Sequence, residues 1–146
     1  ADSADSADSA RPTSVASNAD SVGPLTRKVL DYERTIKKLV ETVKSPLDWA
    51  PLEEFVAVEE FERVGTFLEV QDWRQYTEML TGWASVTDSF DTTLRRVAEL
   101  GSRVYFEIVE RHFRGESASV VNSMTVFEFD ENGKIRHLDV YLQQPR

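Results

Sequence analysis

Apolar positions recur at three- and four-residue steps from Pro24 to Val43, at Leu25, Val29, Tyr32, Ile36, Leu39, Val40 and Val43. That spacing lays one apolar stripe along a helix. Pro24 suits its first turn, and Pro46 ends it by holding Ser45 extended. Asp48 predicts a second, short helix, with an acceptor side chain at the cap, Pro51 in the first turn and Glu53-Glu54 beside the positive end of the dipole. Glu59 to Val70 predicts a short strand pair turning near Val64-Gly65-Thr66. Trp73 to Ala84 predicts a third helix, capped by Asp72 and apolar at Trp73, Tyr76, Met79, Leu80 and Trp83. From Ser89 the period changes. Phe90–Leu100, Arg103–Arg114, Ala118–Phe129 and Ile135–Gln143 are rich in β-branched and aromatic residues and read as long strands. Gly101, Arg114-Gly115-Glu116 and Asp130-Glu131-Asn132-Gly133 separate them, the last a strong hairpin signal.

Helices first and an antiparallel meander afterwards define an α+β fold, with three helices against one face of a curved, mostly antiparallel sheet. Wrapped around a long helix, such a sheet closes into a cone-shaped barrel over a cavity. The expected domain is 24–146. Ahead of it, residues 1–23 read Ala-Asp-Ser three times and then a Ser/Ala/Asn/Asp mixture, which predicts a disordered acidic tail because so little apolar area is available to offset the entropy of ordering.

Composition narrows the chemistry. The 146 residues suit one domain with a sizeable core, and 40% apolar content suits neither a disordered nor a fibrous chain. The absence of cysteine excludes disulfides, thiolate zinc sites and a cysteine nucleophile. With only His112 and His137, a three-histidine metal centre is impossible, and no metal-ligand spacing supports a mixed site, so no metal and no cofactor is expected. A net charge of −9 argues against a nucleic-acid partner. No apolar run approaches the ~20 residues that span a bilayer, and no charged-then-apolar leader is evident. The expectation is a cytoplasmic protein with no membrane partner.

The order of elements, together with Phe61-Glu62-Arg63-Val64-Gly65 and the closing His137-Leu138-Asp139-Val140-Tyr141, resembles the nuclear-transport-factor-2-like superfamily over about residues 25 to 143. Within it the chain looks most like the SnoaL-like branch of polyketide cyclases, ketosteroid isomerase, limonene epoxide hydrolase and scytalone dehydratase. The resemblance implies a cofactor-free acid–base enzyme, or a non-catalytic binding or dimerisation module of the same fold, which commonly forms a homodimer through its sheet. Glu62 stands where ketosteroid isomerases place their catalytic aspartate before a Val-Gly pair. Asp139 stands at the acidic residue of the epoxide hydrolases' last strand. Two departures follow from the same comparison. The isomerases' protonated oxyanion-hole carboxyl falls near Thr125, which offers only a hydroxyl, and Glu110-Arg111-His112-Phe113 has Phe113 where the hydrolases' second acid belongs.

Strand alternation decides which of these groups meet. Leu138, Val140 and Leu142 need a face of their own, which leaves Ile135, His137, Asp139 and Tyr141 for the cavity. The preceding strand then turns Val121, Ser123, Thr125 and Phe127 inward. Pairing Val121 with Glu110 adds Phe106, Ile108, Glu110 and His112, whereas a one-residue slip presents Glu107, Val109, Arg111 and Phe113 instead. The expected catalytic set is Asp139, Glu62, His137 and Glu110, since carboxylates crowded in a low-dielectric pocket separate into a proton donor and a proton acceptor. Tyr141, His112, Thr125, Ser123, Phe106 and Trp83 are the expected substrate contacts. The apolar remainder suits a hydrophobic terpenoid, steroid-like or polyketide-like molecule. Each candidate also has a plainer interpretation: Glu62 within a solvated charge cluster, His137 beside Asp139 as a surface pair, and Glu107 to Arg111 as an exposed strand ion-paired to Arg95, Arg96 or Arg136.

Overall fold

The computed structural model describes residues 22–145. Helix α1 spans Pro24–Leu39, a 3-10 segment spans Pro46–Phe55, and short strands β1 (Glu62–Val64) and β2 (Val70–Gln71) follow. Helix α2 (Trp73–Ser85) leads into the meander β3 (Ser89–Leu100), β4 (Arg103–Arg114), β5 (Ser117–Phe129) and β6 (Ile135–Gln143). The six strands form one sheet in the order β2-β1-β6-β5-β4-β3, antiparallel except where β1 runs parallel to β6. This is the α+β architecture that the pattern predicts. The tail expected over residues 1–23 lies almost wholly outside the described residues. No helix among those described is long and apolar enough to cross a membrane.

The helix ends explain themselves chemically. Asp72 caps α2 by accepting the backbone N–H of Gln75 at 2.8 Å, and the Gln75 side chain accepts the Asp72 N–H at 2.9 Å in return. Helix α1 has Gly23 at its cap and no side chain there to serve. Its open N–H groups are met from across the fold: the Glu99 carboxylate on β3 accepts both the backbone N–H and the hydroxyl of Thr26, at 2.9 and 2.8 Å. The second helix differs from expectation. Asp48 is not the cap; Ser45 is, and the Asp48 carboxylate reaches back to accept the N–H groups of Lys44 and Ser45, which lowers its pKa.

The core fills the space between the helices and one face of the sheet. Val29, Tyr32 and Ile36 of α1, Trp73, Tyr76 and Leu80 of α2, and Trp49 and Leu52 of the 3-10 segment pack against Val104, Phe106, Phe127, Ile135 and Leu138. The Trp49 indole finds its acceptor in the Thr81 hydroxyl at 3.1 Å.

Two irregularities set which side chains face that core. On β3, Leu94 pairs with Ile108 but Arg96 pairs with Glu107, so Arg95 falls outside the ladder. On β6, Phe129 pairs with Ile135 and Glu128 with His137, leaving Arg136 as the extra residue of a bulge. Beyond that point the inward set is Leu138, Val140 and Leu142.

Truncating Leu52, which has no exposed surface, to alanine should cost about 2–5 kcal/mol of stability in urea unfolding. Leu47→Ala, five residues earlier and 85% exposed, should stay within about 0.5 kcal/mol. Equal effects from the two would contradict this packing.

Candidate active site

A cavity of about 360 Å³ opens between α1, α2 and the inner face of the sheet. Most of its wall is apolar: Ile36, Met79, Leu80, Phe106, Ile108, Val121, Phe127, Leu138, Val140 and Leu142. The polar groups that interrupt it arrive from five elements. Glu110 and His112 come from β4, Trp83 and Tyr76 from α2, Tyr32 and Glu33 from α1, and Arg63 from β1. Thr125 adds a hydroxyl from β5.

Three of these groups form one hydrogen-bonded chain. The Trp83 indole N–H donates to His112 Nδ1 at 2.9 Å. An indole N–H can only donate, so Nδ1 must accept and the ring proton sits on Nε2. Nε2 lies 2.9 Å from Glu110 Oε1, so that proton is donated to the carboxylate. Phe90 packs edge-on to Trp83 and at a tilt to His112, each with ring centroids 5.1 Å apart, and so holds both rings in this pose. Residues two apart on one strand share a face, which is why Glu110 and His112 meet.

Glu33 stands near Glu110 with its side chain only 14% exposed. Burial raises its pKa above the ordinary carboxylate value and the nearby Glu110 raises it further, while the Thr92 hydroxyl and Lys37 pull the other way. Lys37 is 3.8 Å from Oε1, and Oε2 is buried with no hydrogen-bond partner among the described residues. The two phenols lie deeper. Tyr32 donates to Tyr76 at 3.4 Å, and burial raises both pKa values, that of Tyr32 the more strongly.

The expected site therefore divides. Glu110, His112, Thr125, Phe106 and Trp83 line the cavity as anticipated, because β4 and β5 adopt the register that pairs Glu110 with Val121. The slipped alternative is excluded: Glu107 lies on the opposite face, bonded to Arg96 at 2.6 and 2.9 Å and 3.4 Å from Arg95. Ser123 is buried on the inner face between Ile108 and Leu142 but does not line the cavity.

The last strand corrects the expectation. Asp139, His137 and Tyr141 face away from the cavity, with Asp139 opposite Val126 and Tyr141, 59% exposed, opposite Met124. The bulge at Arg136 is the cause. Strict alternation groups Ile135 with His137 and Asp139, whereas the extra residue lets both Ile135 and Leu138 turn inward. Glu62 is corrected with them, since Arg63 pairs with Leu138 and takes the inner face while Glu62 takes the outer one. There Glu62 and Asp139 flank His137, at 3.1 Å from Nδ1 and 3.1 Å from Nε2. This is a cluster on the sheet's outer face.

Glu33 and Arg63 were not among the expected site residues, yet each carried a signal. Glu33 lies four residues after Val29 and three before Ile36, inside the apolar stripe of α1. Arg63 lies two residues after the buried Phe61 and so shares its face.

Solved structures share this arrangement. A protein from Shewanella putrefaciens CN-32 described as a SnoaL-like polyketide cyclase superposes with a TM-score of 0.69 at 12% identity, over 90% of this chain and 88% of that one. An NTF2-like protein from Anabaena variabilis ATCC 29413 gives 0.65 at 14% identity, over 82% and 89% of the two chains. An LEH-like epoxide hydrolase from M. tuberculosis gives 0.59 at 14% identity, over 80% and 84%. No family model and no curated protein matches the sequence. The fold is thus that of NTF2-like proteins, SnoaL-like cyclases among them, and at these identities the likeness is one of fold.

The raised pKa of Glu33 has a consequence for stability. A carboxyl that holds its proton more tightly when folded favours the folded state below its unfolded pKa, and that contribution is lost as pH rises through the folded value. Glu33→Gln, which carries no ionisation, should therefore gain in melting temperature relative to the parent as pH rises from the ordinary glutamate range towards neutrality. A difference that stays flat with pH, or runs the other way, would show that burial does not raise the pKa of Glu33.

Proposed function

We propose that the chain is a cofactor-independent acid–base enzyme acting on a hydrophobic small molecule in this cavity, by isomerisation, cyclisation, dehydration or epoxide opening. One observation carries the proposal: a carboxylate aligned by a tautomer-locked imidazole faces, within an apolar cavity, a second carboxylate whose pKa burial raises. Glu110 takes the part of the base, removing a proton from carbon or from an attacking hydroxyl or water. His112 orients it and answers its change of charge through the Nε2–H bond. Glu33 takes the part of the acid, delivering a proton to the oxygen on which charge develops. Tyr76 accepts from Tyr32, so its own O–H is available to that same oxygen. The apolar wall excludes water, which strengthens each of these contacts and shields a reactive enol or carbocation-like species.

A second reading has its own support. Both positions that resemble the catalytic acids of ketosteroid isomerases and epoxide hydrolases, Glu62 and Asp139, face the outer side of the sheet. A cavity without those acids suits a binding module that holds a hydrophobic ligand and leaves it unchanged.

Turnover of a panel of enolisable ketones and epoxides separates the two. With an active substrate found, Glu110→Gln and Glu33→Gln should each lower kcat by about 10²–10⁴-fold. Glu62→Gln and Asp139→Asn should stay within about threefold of the parent, as outer-face substitutions with no contact to the reacting atoms. Loss of activity in the second pair with none in the first would reverse the assignment. A panel that binds but is never turned over would favour the binding module.

A further inference from the structure

The cavity is electrically lopsided, and its one cation has donors to spare. Among the described residues Arg63 is the sole lysine or arginine on the cavity wall, and its side chain is only 11% exposed. Its guanidinium lies over the Tyr76 ring, 5.6 Å from the centroid. A single nitrogen, Nη1, takes both of its polar contacts: it donates to Gln71 Oε1 at 2.9 Å and stands 3.6 Å from the Glu69 carboxylate, which is 44% exposed at the rim. Nε and Nη2 have no hydrogen-bond acceptor among the described residues. Neither nitrogen is among the fully buried unpartnered atoms, so this edge of the guanidinium is open to a ligand, and the partner that fits such a fork is planar and bidentate.

Position matters as much as charge. Arg63 on β1 shares an inner-face row with Leu138, Phe127 and Val104, whereas Glu110 lies three inward positions further along β4. Two strands, β6 and β5, separate β1 from β4. Glu33 and Glu110 therefore stand together toward one end and Arg63 toward the other, with Tyr76 between them, under the guanidinium and within the field of Glu110. A negative group on a ligand is repelled from the first end and held at the second.

We propose that Arg63 anchors an anionic group, and that the ligand of this cavity is an amphipathic monocarboxylic acid, with an apolar skeleton along the Phe106, Phe127 and Leu138 wall. A single guanidinium with one free fork matches one carboxylate. A phosphate dianion in so apolar a wall would need more donors than the cavity offers. The substrate class rests on the acid–base reading only for what happens at the far end: the carboxylate at Arg63 is a handle that sets the skeleton's direction, and the reacting carbon is then the one brought to Glu110 and Glu33.

Calorimetric titration of the purified chain with 4-phenylbutyrate and with its uncharged analogue 4-phenylbutanol, at neutral pH and low salt, tests the anchor without needing turnover. The acid should bind about tenfold more tightly than the alcohol, and high salt should narrow that gap. Arg63→Gln should weaken the acid about tenfold and change the alcohol by less than about threefold, closing the gap; Arg63→Lys should restore part of it. If Arg63→Gln does not fold, the preference of the parent chain and its salt dependence decide the matter. Equal affinity for acid and alcohol in the parent overturns the anchor, and binding of neither overturns it together with the cavity as a ligand site. The acid–base reading fails separately. Glu110→Gln that keeps full turnover sinks that reading, while the preference for the acid would stand.

Discussion

Which chemistry reaches the cavity is settled by one residue that falls outside a β-ladder. Arg136 has no ladder partner on β5, and that single insertion turns Ile135 and Leu138 to the same side. From there Leu138, Val140 and Leu142 complete the apolar wall, and His137, Asp139 and Tyr141 go to the outer face. The parallel pairing of β1 with β6 passes the same phase on, so that Arg63 enters the cavity and Glu62 does not. Without the bulge the last strand would present an acid, an imidazole and a phenol to the helices, where burial would cost far more than three aliphatic side chains do. The bulge is what lets the hydrophobic effect pack this end of the sheet against the helices.

With the polar side chains of β6 and Glu62 of β1 turned to the outer face, the acid–base groups come from β4 and α1. These elements hold their side chains firmly. Glu110 and His112 ride the longest antiparallel ladder in the sheet, and Phe90 and Trp83 close over the imidazole. Glu33 sits mid-helix, between residues that bury their side chains in the core. The carboxylates differ in what surrounds them: one accepts a charge-directing hydrogen bond, and the other has a buried oxygen without a partner. Two similar groups in unlike environments are the requirement for passing a proton in one direction. Arg63 at the opposite end gives the cavity a polarity, and a polar cavity fixes which way an otherwise greasy ligand lies.

Much of this was legible in the residues themselves. Helix α2 was marked at its start by Asp72 and along its length by Trp73, Tyr76, Leu80 and Trp83. The four long strands announced their limits because Gly101, Gly115 and Gly133 stand where the chain needs a positive φ. The register of β4 on β5 was open between two alternatives in the sequence, and the strands adopt the one that pairs Glu110 with Val121. The phase of β6 did not follow, because a bulge leaves no sign in an alternation pattern that reads equally well one residue over. Resemblance compounded the error, since it drew attention to Glu62 and Asp139 by position along the chain and said nothing about which way they turn. Glu33 and Arg63 were hidden for a related reason. A charged residue within an apolar face looks like an edge of that face until the cavity behind it is known.

The polar side of the cavity is organised by the state of one ring. Long-range proton–nitrogen correlation spectra of the uniformly ¹⁵N-labelled chain report directly which imidazole nitrogen of His112 carries the proton, with Trp83→Phe as the control that removes the indole donor. The predicted result is the Nε2–H tautomer at neutral pH in the parent chain, giving way to a mixture in the variant. A parent spectrum dominated by Nδ1–H, or one indistinguishable from that of the variant, would mean that the chain from Trp83 through His112 to Glu110 is not what organises the cavity.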